Sequence, residues 1–187
     1  MTHFEYIAVA VSIILGLGVI QLLSNLDQVL DEDRRYWLQT MWVFYLFWIQ
    51  LQNWWAFWDL RDVDWNFARF AFWISYVCIL YVMAITLVKA KSSDVPWREH
   101  YYHRCRRFFG LYVVLALLAV WMTYWLLDAP ILHPYRLFQV ALIGIGIALF
   151  ISRSRRAHEV LGPLAAIVLA VGQLTYRFDP GLYQSGP

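Results

Sequence analysis

The chain has 187 residues, of which 61% are hydrophobic and 15% are charged, and its net charge is +2. A soluble domain is about 45–50% apolar and roughly 25% charged, so the composition excludes a soluble globular fold. The weak net charge excludes a nucleic-acid binder that works by charge attraction. We therefore predict an all-α membrane helix bundle that forms a single domain over residues 1–187.

Six apolar segments are long enough to cross a bilayer, which requires about 20 helical residues. The first segment has no basic leader and no small-residue cleavage site, so we interpret it as a permanent span rather than a signal peptide. The loops between the segments are short, which predicts antiparallel packing of consecutive helices. The predicted spans cover residues 4–24, 36–58, 66–88, 108–127, 134–152 and 157–177.

The distribution of Lys and Arg predicts how the chain is oriented in the membrane. Eleven of these cations lie in the first, third and fifth loops, and four lie on the opposite side. Because cytoplasmic loops carry an excess of Lys and Arg, both termini are predicted to lie outside the cytoplasm.

The third loop, residues 90–107, combines aromatic and basic residues. A stripe with helical spacing runs through it and into the next span, formed by Trp97, Tyr101, Cys105 and Phe108. Basic residues from Arg98 to Arg107 surround this stripe. The pattern is typical of an amphipathic helix that lies in the membrane interface and attracts anionic lipid. The alternative is simple anchoring of the loop on the cytoplasmic side.

Small residues at four-residue spacing indicate close helix packing, because lipid provides no hydrophobic drive for helix association. The first, fifth and sixth spans carry such stripes, and we predict that they form the tightly packed part of the bundle. The second, third and fourth spans are rich in Trp, Tyr and Phe, which suits a lipid-facing surface, a cavity wall or a subunit contact. The stripes are Ala8, Ser12 and Gly16; Gly144 and Ala148; and Gly162, Ala166 and Ala170.

Polar side chains within spans are costly, so their positions indicate functional sites or buried contacts. In the predicted orientation they converge in the outer half of the bundle, among several tryptophans. We predict there a polar, Trp-lined chamber whose aromatic faces suit a lipophilic or cationic ligand. The candidate ligand-binding residues are Glu5, Trp48, Gln50, Asn53, Arg69, Gln139, Gln173 and Arg177. The surrounding tryptophans are Trp54, Trp55, Trp58, Trp65, Trp73, Trp121 and Trp125.

Structural roles are open for the same residues. Tryptophans gather at membrane interfaces without any ligand, long charged side chains reach solvent from span ends, and amides join helices. We expect Glu5 to pair with Arg69 or Arg177 if these groups are buried. One face of the second span carries an amide stripe, which suits either a permeation path or a hydrogen-bonded seam. This stripe consists of Gln39, Gln50 and Asn53.

No recognised catalytic motif is present. His100 and His103 have a one-turn spacing, but two ligands are too few for a closed metal site, and we interpret them as surface residues of a basic loop. Neither a His-Glu-x-x-His nor a Gly-x-Ser-x-Gly pattern occurs. Cys78 and Cys105 are too few for a disulfide framework. We therefore predict no catalytic residue, no metal and no cofactor.

Short motifs are spread over most of the chain. They are Phe4-Glu5-Tyr6, Gly16-Leu17-Gly18, Gln21-Leu22-Leu23, Tyr36-Trp37, Ile49-Gln50, Trp54-Trp55, Leu60-Arg61, and the run from His103 through Arg106-Arg107 to Phe108-Phe109-Gly110. Together these motifs resemble a family of uncharacterised bacterial inner-membrane proteins with six predicted spans. The resemblance implies a bacterial cytoplasmic membrane and a stand-alone span bundle, and it implies no particular activity.

Two classes of function are consistent with these features. The first is a non-enzymatic channel, transporter or ligand-binding bundle, and the bulky aromatic helices beside a basic interface favour a homo-oligomer. The alternative is an accessory subunit of a membrane complex, docked through the aromatic faces, or a membrane-embedded enzyme of unrecognised chemistry.

Overall fold

The computed structural model describes residues 3–89, 96–127 and 133–176, and within these ranges all regular structure is helical. A 3₁₀ turn, Phe57–Leu60, follows the third helix directly. The α-helices are α1 (His3–Leu23), α2 (Leu26–Leu30), α3 (Trp37–Ala56), α4 (Phe67–Val88), α5 (Trp97–Trp125), α6 (Tyr135–Ile151) and α7 (Arg155–Tyr176). Each predicted span therefore corresponds to one helix, and the prediction of an all-α bundle is confirmed for the described ranges.

Among the described helices, α1, α4, α5 and α7 are long and apolar enough to cross a membrane. Helix α6 is apolar but has 17 residues, which at 1.5 Å per residue is about 25 Å and shorter than a typical hydrocarbon core. Helix α3 has 20 residues, and its Trp, Tyr and Gln content makes it less apolar than α1 or α4. The composition and length of these helices are those of a membrane-embedded bundle.

The boundaries of the helices follow local chemistry. The side chain of Asn66 accepts a hydrogen bond of 3.0 Å from the backbone N–H of Arg69, which caps the start of α4. Pro134 immediately precedes α6, where a proline at the helix entrance removes no helical hydrogen bond. Helix α7 continues past Pro163 to Tyr176.

Helix α3 contacts four of the other long helices. It packs against α1, α4, α5 and α7, while α5 also packs on α6 and α6 on α7. Nine of its 20 residues are buried, and Trp42 is completely inaccessible. The expectation that α1, α6 and α7 form the tight part of the bundle is wrong, because α1 packs on α4 and α3 instead.

Two of the three predicted small-residue stripes have the wrong register. A Cβ atom added at Gly16 or Gly144 would meet no described atom within 4 Å, so neither glycine lies at a close helix contact. The close contacts are two residues further along, at Gly18 and Gly146. The α7 stripe is correct at Gly162, where an added Cβ would lie 3.2 Å from Leu38 and Met41. Small residues do lie at the helix contacts, but their spacing did not predict which face of the helix meets a neighbour.

Helix α5 begins at Trp97, eleven residues before the predicted start of its span. Its aromatic stripe is buried against the bundle, with Trp97 fully inaccessible and Tyr101 3% exposed. The predicted interfacial helix is therefore wrong in its orientation, because the stripe faces protein instead of lipid. The Trp97 indole N–H donates to the carbonyl of Gln28 at 2.6 Å, which joins this end of α5 to α2.

Candidate functional site

A cavity of about 80 Å³, lined by both apolar and polar side chains, lies between α3, α4, α5, α6 and α7, and we call it the large cavity. A water molecule needs roughly 10–15 Å³ of such space, so the large cavity has room for several waters or for a solute of a few non-hydrogen atoms. Its lining consists of Tyr45, Ile49, Gln52, Asn53, Tyr76, Tyr112, Leu115, Ala116, Ala119, Tyr135, Gln139, Leu142 and Leu169.

Tyrosine hydroxyls provide part of the polar lining. The hydroxyls of Tyr45 and Tyr112 are 2.9 Å apart and form a buried hydrogen bond between α3 and α5. One hydroxyl donates and the other accepts, so the hydrogen of the accepting hydroxyl is available to a further acceptor. The pair therefore fixes the wall of the large cavity and also offers a donor to its interior.

Two predicted site residues, Asn53 and Gln139, line the large cavity from α3 and α6. The amide nitrogen of Asn53 donates to the carbonyl of Ile49 at 2.8 Å, which leaves its Oδ1 as the acceptor for a solute. Gln139 Oε1 accepts from Arg136 at 2.8 Å, which leaves its Nε2 as a donor. The large cavity thus presents both an acceptor and donors to a solute.

Arg136 is a half-buried cation next to this cavity, and it was not among the predicted site residues. Its Nη1 donates to Gln139 Oε1, to the Val120 carbonyl at 3.1 Å and to Thr123 Oγ1. These three described partners are neutral, and a positive charge beside the large cavity opposes the entry of cations. The three-residue spacing between Arg136 and Gln139 in the first turns of α6 is the sequence signal that could have identified it.

A chain of hydrogen bonds links the large cavity to α7. The Trp48 indole N–H donates to Gln173 Oε1, and Gln173 Nε2 donates to Gln52 Oε1 in the cavity wall. Trp48 and Gln173, both predicted site residues, therefore lie behind the wall and hold Gln52 in place. Gln52 itself was missed, although it is the neighbour of Asn53 in the sequence.

The remaining predicted site residues do not join the cavity lining. Gln50 is fully buried on the α1 side of α3, where an added Cβ at Gly18 would come within 2.5 Å of its Oε1. Glu5 is exposed in the first turn of α1, and Arg69 donates to the Asp64 carbonyl. Arg177 lies outside the described residues.

Tryptophan does not line the large cavity, so the predicted Trp-lined chamber is corrected to a Tyr-lined one. Trp54, Trp55 and Trp58 are 45%, 61% and 58% exposed, and with Leu51 they border a groove on the outside of the bundle. Trp73 is buried but packs on Phe57 and Tyr76 behind the cavity wall. The indoles point outward because the inner face of α3 is occupied by its Tyr, Gln and Asn residues.

A second cavity lies nearer the other end of α3, and we call it the small cavity. It measures about 10 Å³, which is close to the space of one water molecule. Gln39 Nε2 and His100 Nε2 both contact the carbonyl of Leu87, and Gln39 Oε1 is buried without a partner in the described part of the chain. Its lining consists of Gln39, Thr86, Leu87, His100, Tyr101, Arg104, Cys105 and Phe108.

His158 is fully buried next to this end of the bundle. Its Nε2 contacts the Ser152 carbonyl at 3.1 Å, and its Nδ1 contacts the Tyr101 hydroxyl at 2.9 Å. A carbonyl only accepts, so Nε2 carries the hydrogen and Nδ1 accepts from the tyrosine. The interpretation of His100 as a surface residue is wrong, because it is 6% exposed. In the described ranges, no group of three or more His, Cys, Asp or Glu side chains could hold a metal.

No family model, no curated protein and no solved structure matches this chain. Its class therefore follows from its own fold and site, which define a membrane-embedded α-helical bundle with two cavities along α3.

Proposed function

We propose that this chain is a six-span membrane protein that binds a small, uncharged, hydrogen-bonding solute in the large cavity, as a channel, transporter or binding protein without enzymatic activity. The observation that supports this most directly is the convergence of Asn53, Gln139 and the Tyr45–Tyr112 pair on one internal space. Polar groups inside an apolar bundle are costly unless they are paired, so a molecule that pairs with them gains affinity.

The charge and size of the large cavity define the class of solute. Among the described residues, no Asp, Glu, Lys or Arg side chain lines it, and the Arg136 charge lies beside it. Moving a bare ion into such a site carries a large desolvation cost, so the favoured solute is neutral. A solute with one carbonyl or hydroxyl acceptor and one N–H or O–H donor satisfies Asn53, Gln139 and the free tyrosine hydrogen together. Small amides and polyols have this chemistry.

Ligand-observed NMR tests this proposal directly. Saturation transfer from the protein in lipid nanodiscs to acetamide and to glycerol is measured for the wild type and for an Asn53→Leu, Gln139→Leu variant. We expect transfer to at least one probe, lost in the double variant and retained in Trp55→Leu, which changes an exposed indole outside the cavity. Equal transfer in the wild type and the double variant, or none to either probe, refutes the proposal.

The proposed topology places six spans in a bacterial inner membrane with both termini outside the cytoplasm. Support comes from the eleven cations in odd-numbered loops against four on the other side, and from the family resemblance. Fusion of a fluorescent protein and of alkaline phosphatase to the C-terminus in a bacterial host tests it. We expect active phosphatase and a dark fluorescent protein, whereas the reverse pattern contradicts the orientation.

A second candidate function is self-association or docking through the exposed tryptophans of α3 and its 3₁₀ turn. The observation in its favour is the outward groove bordered by Leu51, Trp54, Trp55 and Trp58. Native mass spectrometry of the purified chain tests it: we expect homo-oligomers that a Trp54→Leu, Trp55→Leu, Trp58→Leu variant converts to monomers. A monomeric wild type refutes the homo-oligomer, and a stoichiometric second protein would favour the accessory-subunit alternative.

Anionic lipid is the partner that we propose for the basic segment from Arg98 to Arg107 at the start of α5. Arg98, Arg106 and Arg107 are exposed, and the Arg106 guanidinium lies 5.4 Å from the ring centroid of Phe150 at the end of α6. Exposed cations at the start of a membrane helix attract phosphate headgroups by roughly 1 kcal/mol each.

A further inference from the structure

We infer that Trp42 is the barrier between the large and the small cavity, and that its displacement opens a path for water and small neutral solutes along α3. This inference rests on the proposed function, since it gives the solute site a route to the other end of the bundle. The route runs along α3, Trp42 closes it, and the solutes that it accepts are water and small neutral molecules.

The two cavities lie on the same helix, at positions separated along its axis. The small cavity includes Gln39 and the large cavity includes Asn53. The two linings together span the fourteen positions from Gln39 to Asn53, which corresponds to about 21 Å of helix at 1.5 Å per residue. This length is most of a hydrocarbon core of roughly 30 Å. The nearest α3 residues of the two linings, Gln39 and Tyr45, are six positions apart, and Trp42 lies between them.

Trp42 contacts the lining of both cavities. Its ring centroid lies 5.5 Å from that of Phe108, which lines the small cavity. On its other side it lies 4.8 Å from Tyr45 and 6.0 Å from Tyr112, which line the large cavity. The indole is completely inaccessible. Trp42 therefore packs between residues that line the two cavities.

An aromatic constriction between the large and the small cavity blocks the passage of water, because water is unstable in a narrow apolar gap. The Trp42 ring and its neighbours Phe108 and Phe109 form such a constriction. Beyond it, the buried Gln39 Oε1 without a partner in the described chain is an acceptor for an arriving water or solute. The small cavity therefore offers a solute a further hydrogen-bond acceptor, in addition to the groups in the large cavity.

The charges near the path determine which solutes it accepts. Arg136 lies beside the large cavity and Arg104 lines the small one, so a positive charge flanks each end. In the part of the chain that the structure describes, no carboxylate appears in either lining. Flanking positive charges exclude protons and metal cations while neutral molecules pass, so the path is expected to conduct water and small amides or polyols and no cations.

Stopped-flow light scattering of proteoliposomes tests this inference. The change is Trp42→Ala, and the matched control is Trp73→Ala, which removes another buried indole whose ring partner Tyr76 lines the large cavity alone. We expect Trp42→Ala to raise osmotic water permeability per protein about tenfold above wild type by removing the apolar constriction. Glycerol permeability rises with it, potassium flux stays at the lipid background, and Trp73→Ala behaves as the wild type.

Trp42→Phe is a second variant for the case that Trp42→Ala does not fold. It keeps an aromatic ring and creates a smaller void than Trp42→Ala. We expect a smaller increase in water permeability for this variant, measured on protein whose helicity and elution volume match the wild type. Folded Trp42→Ala or Trp42→Phe protein with the permeability of Trp73→Ala overturns the inference. The proposed function has its own test. Absence of saturation transfer from the wild type to acetamide and glycerol overturns that function, whereas unchanged permeability of the folded Trp42 variants overturns only the barrier.

Discussion

Gly146 and Gly144 provide a matched pair of substitutions that tests the packing of α5 on α6. A Cβ added at Gly146 would lie 2.8 and 2.9 Å from two ring carbons of Tyr112 and 3.0 Å from a methyl of Val113. A Cβ added at Gly144 would meet no described atom within 4 Å. The two glycines lie on the same helix, so their alanine variants change helix propensity alike.

The loss of stability expected for Gly146→Ala depends on whether the Tyr112 ring can move away. Its hydroxyl is hydrogen-bonded to Tyr45 and its ring packs on Trp42, so it cannot turn away without breaking these contacts. Overpacking of such a site costs about 1–3 kcal/mol, whereas replacing a helical glycine by alanine gains about 0.5–1 kcal/mol. The propensity gain cancels between the two variants, so Gly146→Ala is expected to be about 1–3 kcal/mol less stable than Gly144→Ala.

The free energy of unfolding can be measured by SDS titration in mixed micelles, with tryptophan fluorescence and far-UV circular dichroism as the two signals. We expect Gly144→Ala to match or slightly exceed the wild type and Gly146→Ala to fall below it. Equal stability of the two variants would refute the α5–α6 register, and greater loss for Gly144→Ala would restore the stripe predicted from sequence.

Three further predictions concern other parts of the bundle. His158→Phe leaves the buried Tyr101 hydroxyl without its acceptor, which is expected to lower the free energy of unfolding by about 1–3 kcal/mol; stability equal to wild type would contradict the hydrogen bond. Asn66→Ala removes the cap of α4 and is expected to cost about 1 kcal/mol, whereas Asn66→Asp, which keeps the acceptor, should not change the midpoint of SDS unfolding. Arg106→Gln with Arg107→Gln removes about 2 kcal/mol of attraction for anionic headgroups, so native mass spectrometry should show less retained phosphatidylglycerol and unchanged phosphatidylcholine; unchanged retention of both would refute the lipid site.

The cavity residues show where sequence reasoning about single side chains stops. Gln39, Gln50 and Asn53 were predicted to share one face of a span, and all three are buried on α3. They nevertheless meet different surroundings: Gln39 contacts α4, Gln50 faces α1, and Asn53 lines the large cavity. A helical spacing defines the direction of a side chain, but the neighbour in that direction depends on where the other helices lie.

The existence of each long helix, and the bounds of all of them except the start of α5, could be predicted from the sequence. Each apolar run is long enough for backbone hydrogen bonds to be satisfied within one helix, as a bilayer requires. Boundary residues such as Asn66 and Pro134 act through their own backbone or a neighbour three residues away. Both effects are local, so they can be recognised without knowledge of the fold.

Only the tertiary structure decided that α3 contacts four other long helices, that Gly18 and Gly146 are close contacts, and that tyrosine rather than tryptophan lines the large cavity. Hydropathy does not distinguish a lipid-facing indole from a buried one, because lipid and protein interior are equally apolar to it. Hydrogen bonds between residues such as Trp48 and Gln173 join positions 125 residues apart. Their partners become defined when five helices pack around one space.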